Sequence, residues 1–127
     1  MKATVGAGVS LALLLTAVPV GAQSGDAGRG ERLFNQQCKV CHTVEKGGAN
    51  KVGPNLWGLF GRKAGTVTGF SASEAMAKSG IVWDDKTVAE YLTDPKTRIP
   101  GNKMAFAGLR KPDQLDDVMA YLKKATQ

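Results

Sequence analysis

The stretch Cys38-Lys39-Val40-Cys41-His42 decides how this chain is interpreted, because its C-x-x-C-H spacing is typical of covalent c-type haem attachment. Two thiols separated by two residues can add to the two vinyl groups of one porphyrin, and the histidine is then held against the iron as its proximal ligand. The motif contains both cysteines and the only histidine of the 127-residue chain. The sequence therefore predicts one covalently bound haem c.

Other uses of two nearby cysteines fit the sequence less well. A thioredoxin-like dithiol is expected beside a βαβ pattern, which the sequence does not show. Structural zinc takes four ligands, whereas the chain offers three Cys and His side chains in one short segment. A disulfide across two residues would constrain little of the unfolded chain. The dithiol is the main alternative that the motif leaves open.

The N-terminal segment has the pattern of a secretory signal peptide. Lys2 precedes an apolar stretch from Ala3 to Val20, and small residues follow up to Ala22. We expect cleavage before Gln23, which gives a signal peptide at 1–22, a single domain at 23–127 and a location in the periplasm. The alternative is an uncleaved membrane anchor, although the apolar run is near the lower limit of about 17 residues for a spanning helix.

The composition indicates a small basic domain. The whole chain has a formal net charge of +6, and removal of Lys2 with the signal would lower it by one. A domain of this size buries a limited fraction of its surface, so a large apolar macrocycle would supply missing core. Nucleic-acid binding is not expected, because the cations are scattered and no reading motif accompanies them.

Helical patterns lie mainly at the two ends of the predicted domain. Apolar and small residues recur at helical spacing from Ala27 to Cys38, after a potential N-cap at Asp26, and a second such stripe follows Pro112. A third helix is predicted to open at 83–85 and to end before Pro95, and a shorter one at 73–78. The glycine-rich stretch 47–69 is predicted to be an ordered loop. The sequence thus predicts an all-α fold, with three main helices plus short helices and loops wrapped around one haem.

The second axial ligand is left open by the residues alone. The methionines of the predicted mature chain are Met76, Met104 and Met119. Met119 lies on the apolar face of the last predicted helix, and Met76 in a short one, so both can be core residues. Met104 lies in an irregular stretch bounded by Pro100 and Gly101, and loops often position functional side chains.

The segment 25–126 resembles a class I c-type cytochrome of the cytochrome c2 and mitochondrial cytochrome c family. The resemblance rests on the order and spacing of the motif with several further fragments, which are Gly53-Pro54-Asn55-Leu56, Gly58-Leu59-Phe60-Gly61-Arg62-Lys63, Pro100-Gly101-Asn102-Lys103-Met104 and Ala120-Tyr121-Leu122-Lys123-Lys124. It implies that Cys38 and Cys41 form thioethers and that His42 and Met104 are the axial ligands. The carbonyl of Pro54 should accept a hydrogen bond from His42 Nδ1.

The resemblance also implies roles for residues around the haem. Tyr91 is expected near the sulfur of Met104, while Arg62 and Trp83 are expected to face a buried propionate. The first and last helices should cross at Gly30, Phe34 and Tyr121. Without the resemblance, the aromatic residues would be interpreted as core and Arg62 as a solvated cation.

Three positions depart from the family pattern. Ala72 stands where the family often has a tyrosine bonded to a propionate, Met76 where an asparagine is common, and Asn102 where a threonine is common. We expect fewer hydrogen-bond donors around the haem and hence a different redox tuning.

His/Met ligation implies a soluble one-electron carrier and not an enzyme, because two strong axial ligands leave no open position on the iron. The alternatives are a membrane-tethered electron-transfer module, if the signal stays uncut, and a haem peroxidase, for which the chain lacks a second histidine.

The resemblance further implies a monomer with a basic face around the exposed haem edge. This face would steer docking to acidic sites on a bc1 complex as donor and on a terminal oxidase or photosynthetic reaction centre as acceptor. Its expected residues are Arg32, Lys51, Lys96, Lys103, Arg110 and Lys111.

Overall fold

The fold is built from helices and connecting loops. The computed structural model describes residues 2–4, 6 and 25–127. Its helices are α1 (Ala27–Gln37), α2 (Glu74–Lys78), α3 (Asp85–Thr93), α4 (Pro95–Arg98) and α5 (Pro112–Ala125). Within the described residues there is no strand, only an isolated antiparallel bridge between Lys63 and Val82. The predicted all-α class is confirmed.

The predicted signal peptide lies almost entirely outside the described residues, and so does its expected cleavage site before Gln23. The division into 1–22 and 23–127 stays a prediction. Among the residues that the structure describes, no helix combines the length and the apolar character needed to cross a membrane.

The crossing of α1 and α5 depends on glycine. A Cβ added at Gly30 would lie 1.9 Å from the carbonyl oxygen of Asp117, far inside van der Waals contact. The side chain of Phe34, one turn further along α1, packs its ring against Tyr121, with ring centroids 5.3 Å apart. The crossing predicted at these residues is therefore confirmed, and it fixes the end of α1, where the haem motif begins.

A buried carboxylate ties the start of α1 to α5. Asp117 is only 5% exposed, and its oxygens accept hydrogen bonds from the backbone N–H of Asp26 at 2.8 Å and from Arg29 Nε at 2.8 Å. The Arg29 guanidinium, followed by the Asp26 N–H, lowers the pKa of the Asp117 carboxyl. Asp26 in turn caps α1, because its side chain accepts from the backbone N–H of Arg29.

The helices α2, α3 and α4 are each capped by a side chain. Ser73 caps α2, and Asp84 caps α3 in a reciprocal arrangement with Thr87. The helix α3 ends at Thr93, as predicted from Pro95. The sequence analysis missed α4, which begins at that proline because proline is well suited to the first position of a helix.

The loop between α1 and α2 is anchored to the rest of the molecule. The backbone N–H of Gly58 donates to Thr126 O at 2.7 Å, and that of Gly61 donates to Trp83 O at 2.7 Å. Leu59 and Ala64 from this loop are buried in the core. The loop is thus part of the wall that encloses the interior, as expected of a long ordered loop.

Candidate haem-binding site

The structure brings all the predicted site residues to one cavity of about 380 Å³. Its lining includes the motif residues Cys38, Cys41 and His42, and the candidate ligand Met104. Pro54, Arg62, Trp83 and Tyr91 also line it. Much of the remaining wall is apolar, from helices and from the loop between α1 and α2 alike.

The two thiols are presented by a tight turn at the end of α1. Cys38 ends the helix, with its N–H donating to Phe34 O, and its own carbonyl accepts from the N–H groups of Cys41 and His42. Burial, followed by the neighbouring Cys41, raises the pKa of Cys38 to about 11. The turn therefore presents both thiols and the imidazole of His42 to one cavity.

The imidazole of His42 is fixed on two sides. Its Nδ1 lies 2.8 Å from Pro54 O, and because a carbonyl only accepts, Nδ1 carries the proton and Nε2 keeps its lone pair. The ring also lies against Gly53, where an added Cβ would stand 2.3 Å from His42 Cε1. Burial lowers the pKa of His42, which favours the neutral form that can ligate iron.

Tyr91 lies on α3 with its phenol turned toward the segment that carries Met104. Its hydroxyl donates to Asn102 Oδ1 at 3.2 Å, and the N–H of Met104 donates to the same oxygen at 2.9 Å. The phenol expected beside the Met104 sulfur thus uses its proton on Asn102. Burial raises the pKa of Tyr91 to about 12, so the phenol stays neutral at physiological pH.

Arg62 and Trp83 place polar hydrogens at the apolar cavity. The guanidinium donates through Nη1 to Asn55 O at 3.3 Å and to Trp57 O at 3.0 Å, and burial lowers its pKa. Trp83 is 7% exposed, and among the described residues no acceptor bonds its indole N–H. A cation and an indole donor at one apolar cavity are suited to a carboxylate, such as a haem propionate.

These groups fit a covalent haem. Two thiols can form thioether bonds to the vinyl groups of a haem, a neutral imidazole and a methionine thioether are ligands that haem iron takes in proteins, and the apolar walls suit a large macrocycle. Met76 also lines the cavity, whereas Met119 packs against the core and is not part of this lining. Ala72 contributes no hydroxyl to the cavity, although Ser71 and Ser73 line it on either side.

Some lining residues were not found by sequence reasoning. Leu56, Val67 and Phe70 come from the loop between α1 and α2 and line the cavity, and their apolar character in a polar stretch was the available signal. The close approach of Gly53 to His42 depends on tertiary structure. The role of Asn102 was missed as well, because the sequence shows only an unusual residue and not its partners.

All six residues of the predicted basic face are exposed. Lys103 lines the cavity itself, as do Phe106 and Gln37. Two of the other five have partners within the protein. Lys51 Nζ donates a hydrogen bond to Lys39 O, and Arg110 forms an ion pair with Asp94 at 3.3 Å.

Comparison with known proteins agrees with this site. A family model described as cytochrome c matches residues 27–126. A cytochrome c of Chlamydomonas reinhardtii is 52% identical over 105 residues, which cover 83% of this chain and 94% of the relative. A cytochrome c of Gibberella zeae is 52% identical over 103 residues, covering 81% and 97%, and one of Nigella damascena is 48% identical over 105 residues, covering 83% and 95%.

These relatives overturn one prediction. The periplasmic location inferred from the N-terminal pattern is wrong, because the relatives are mitochondrial-type cytochromes c of an alga, a plant and a fungus and not proteins of a bacterial periplasm. The match does extend over nearly the whole domain, including the C-x-x-C-H motif through which this family binds one covalent haem c. The chain belongs to the cytochrome c family of electron carriers.

Proposed function

We propose that this protein is a one-electron carrier without enzymatic activity, whose iron is held between His42 and Met104. The observation that carries the proposal is the convergence of these two side chains with Cys38 and Cys41 on one cavity. A bound haem supplies a one-electron Fe(III)/Fe(II) couple, and Met ligation raises its potential. Two strong protein ligands leave no position for substrate, which argues against peroxidase chemistry.

The site is suited to electron transfer because its side chains are held in place by hydrogen bonds and packing. His42 is held by Pro54 and Gly53, and Arg62 by two carbonyls. Trp83 and Tyr91 pack on each other, with ring centroids 5.2 Å apart. A site whose side chains are fixed by packing changes little when its charge changes, so little rearrangement accompanies each transfer.

We further propose a bc1-type complex as the donor and a terminal oxidase or photosynthetic reaction centre as the acceptor. Support comes from the charge: the chain is basic, and the six cations of the basic face are exposed, with Lys103 at the cavity border. Such a surface accelerates encounter with an acidic partner and does so less at high salt, because screening acts over about 8 Å at physiological ionic strength.

Stopped-flow reduction of the oxidised holo-protein by a purified bc1 complex tests this proposal. Lys103→Glu should slow the second-order rate severalfold at low salt and flatten its dependence on ionic strength. Lys124→Glu is the matched control, since Lys124 is exposed on α5 and does not line the cavity. Equal rates for both variants at every salt concentration would exclude docking at the cavity border.

The domain boundary is proposed as well. We propose that the mature chain runs from residue 23 to 127, because the pattern around Ala22 is that of a processing site. The intact mass of the holo-protein purified from its natural host measures this directly. A mass that includes residues 1–22 would favour the membrane-tethered carrier over the soluble one.

A further inference from the structure

The side chain of Asn102 uses its full hydrogen-bonding capacity where α4 meets the segment of Met104. Its Nδ2 donates to Pro95 O and to Ile99 O, both at 2.9 Å. Its Oδ1 accepts from the Met104 N–H at 2.9 Å and from the Tyr91 hydroxyl at 3.2 Å. An amide side chain has two donor hydrogens and two acceptor lone pairs, so this one is fully satisfied.

These partners allow the Asn102 amide only one orientation. The carbonyls of Pro95 and Ile99 can only accept, and the N–H of Met104 can only donate. The backbone adds a further constraint, because Asn102 N donates to Ile99 O at 3.1 Å across a turn. That turn has Pro100 second and Gly101 third with φ +87°, as a type II turn requires.

The segment after Asn102 has few other attachments. Between Lys103 and Gly108, the described backbone makes two hydrogen bonds: Met104 N–H to Asn102 Oδ1, and Phe106 N–H to Met104 O. The second bond is local to the segment. The backbone of Met104 is therefore connected to α3 and α4 by hydrogen bonds only through the Asn102 amide.

We propose that Asn102 is a positioning residue that keeps the Met104 thioether in the cavity. The inference rests on the proposed His42/Met104 ligation and deepens it. Removal of the amide leaves the part-buried N–H of Met104 unpaired and frees the Tyr91 hydroxyl from the segment, so states in which the thioether is withdrawn become more populated. Asn102 lies outside both α1 and α5, so their crossing does not include this connection.

Imidazole is the probe for this proposal. At fixed pH, imidazole binds the oxidised holo-protein only when the thioether has left, so its apparent affinity is scaled by the fraction of withdrawn states. Loss of the near-infrared Met-to-iron band reports binding. Asn102→Ala should bind imidazole about tenfold more tightly than wild type, and tenfold corresponds to about 1.4 kcal/mol. Asn102→Ser keeps one acceptor oxygen, so its imidazole affinity should lie between those of wild type and Asn102→Ala. It replaces the alanine variant in this test if that variant does not fold.

Asn50→Ala is the matched control. The Asn50 amide also connects distant segments, accepting from Asn55 N at 2.9 Å and donating to Thr68 O at 3.0 Å, but it does not contact the Met104 segment. It should lower stability against guanidinium without changing imidazole affinity. The proposal is overturned if the Asn102 variants bind imidazole like wild type, or if Asn50→Ala binds it as tightly as they do. A wild-type protein without the near-infrared band would instead refute the underlying ligation.

Discussion

Substitution of Gly30 by alanine should separate α1 from α5. The added Cβ would stand 1.9 Å from Asp117 O, whereas carbon and oxygen atoms rarely approach closer than about 3.3 Å. The neighbour is backbone and cannot rotate away, so the helices must move apart by roughly 1.4 Å at this point. That movement also disturbs the contact between Phe34 and Tyr121 and the hydrogen bonds to Asp117.

The cost of this substitution follows from two opposing effects. Overpacking costs about 1–3 kcal/mol and occasionally more, and the rigid backbone contact indicates the upper end. Replacement of a glycine by alanine inside a helix stabilises the helix by about 1 kcal/mol. The net loss should be about 2 kcal/mol or more, which lowers the melting temperature by about 8–16 °C for a domain of this size.

Guanidinium unfolding followed by circular dichroism measures this loss on the holo-protein. Gly28→Ala is the control, because Gly28 is an exposed position of the same helix and its added Cβ meets only the Asp26 carboxylate at 3.3 Å. This variant should be as stable as wild type or slightly more so. If Gly30→Ala is also as stable as wild type, the close approach of the two helices is not what fixes the start of the haem motif.

Three further predictions concern the site and its support. Gly53→Ala should destabilise the holo-protein by about 1–3 kcal/mol in guanidinium unfolding, because the new Cβ would lie 2.3 Å from the His42 ring. Unchanged stability would show that the position of the His42 ring does not depend on this glycine. Asp117→Asn should reduce stability most above about pH 4, because the Asp117 pKa is lowered in the folded state. The contribution of the ionised carboxylate to the free energy of unfolding disappears as the pH falls through that lowered pKa. Urea unfolding of both proteins between about pH 2 and 7 measures this, and a difference from wild type that is greatest in acid would contradict it. Arg62→Gln should lower the reduction potential by some tens of millivolts, since loss of a partly buried cation favours the ferric state. Voltammetry should show little change in potential for the control variant Lys63→Gln. Equal shifts in the two variants would show that Arg62 has no special electrostatic effect on the iron.

Features encoded locally could be predicted from the sequence. The N-cap at Asp26, the start of α5 at Pro112 and the end of α3 before Pro95 all follow from residues next to the boundary. The haem motif is similarly local, because its chemistry depends on five consecutive residues. The crossing at Gly30 was also predictable, since a glycine on an apolar helical face indicates close approach.

Features that depend on distant partners could not be predicted. The helix α4 was missed because a proline that ends one helix was not considered as the first residue of the next. Asn102 was noted as a departure expected to reduce hydrogen bonding, but its two donors and two acceptors meet partners on α3, α4 and the Met104 segment. Those partners are brought together only by the tertiary fold.

The near-infrared spectrum of the oxidised holo-protein tests the central claim most directly, because its Met-to-iron band appears only when a thioether ligates the iron. Met104 and Met76 both line the cavity, so the two alanine variants compare the two candidate sulfurs. We predict that wild type and Met76→Ala show the band and that Met104→Ala loses it. A band that persists in Met104→Ala and disappears in Met76→Ala would contradict the assignment of the iron to His42 and Met104.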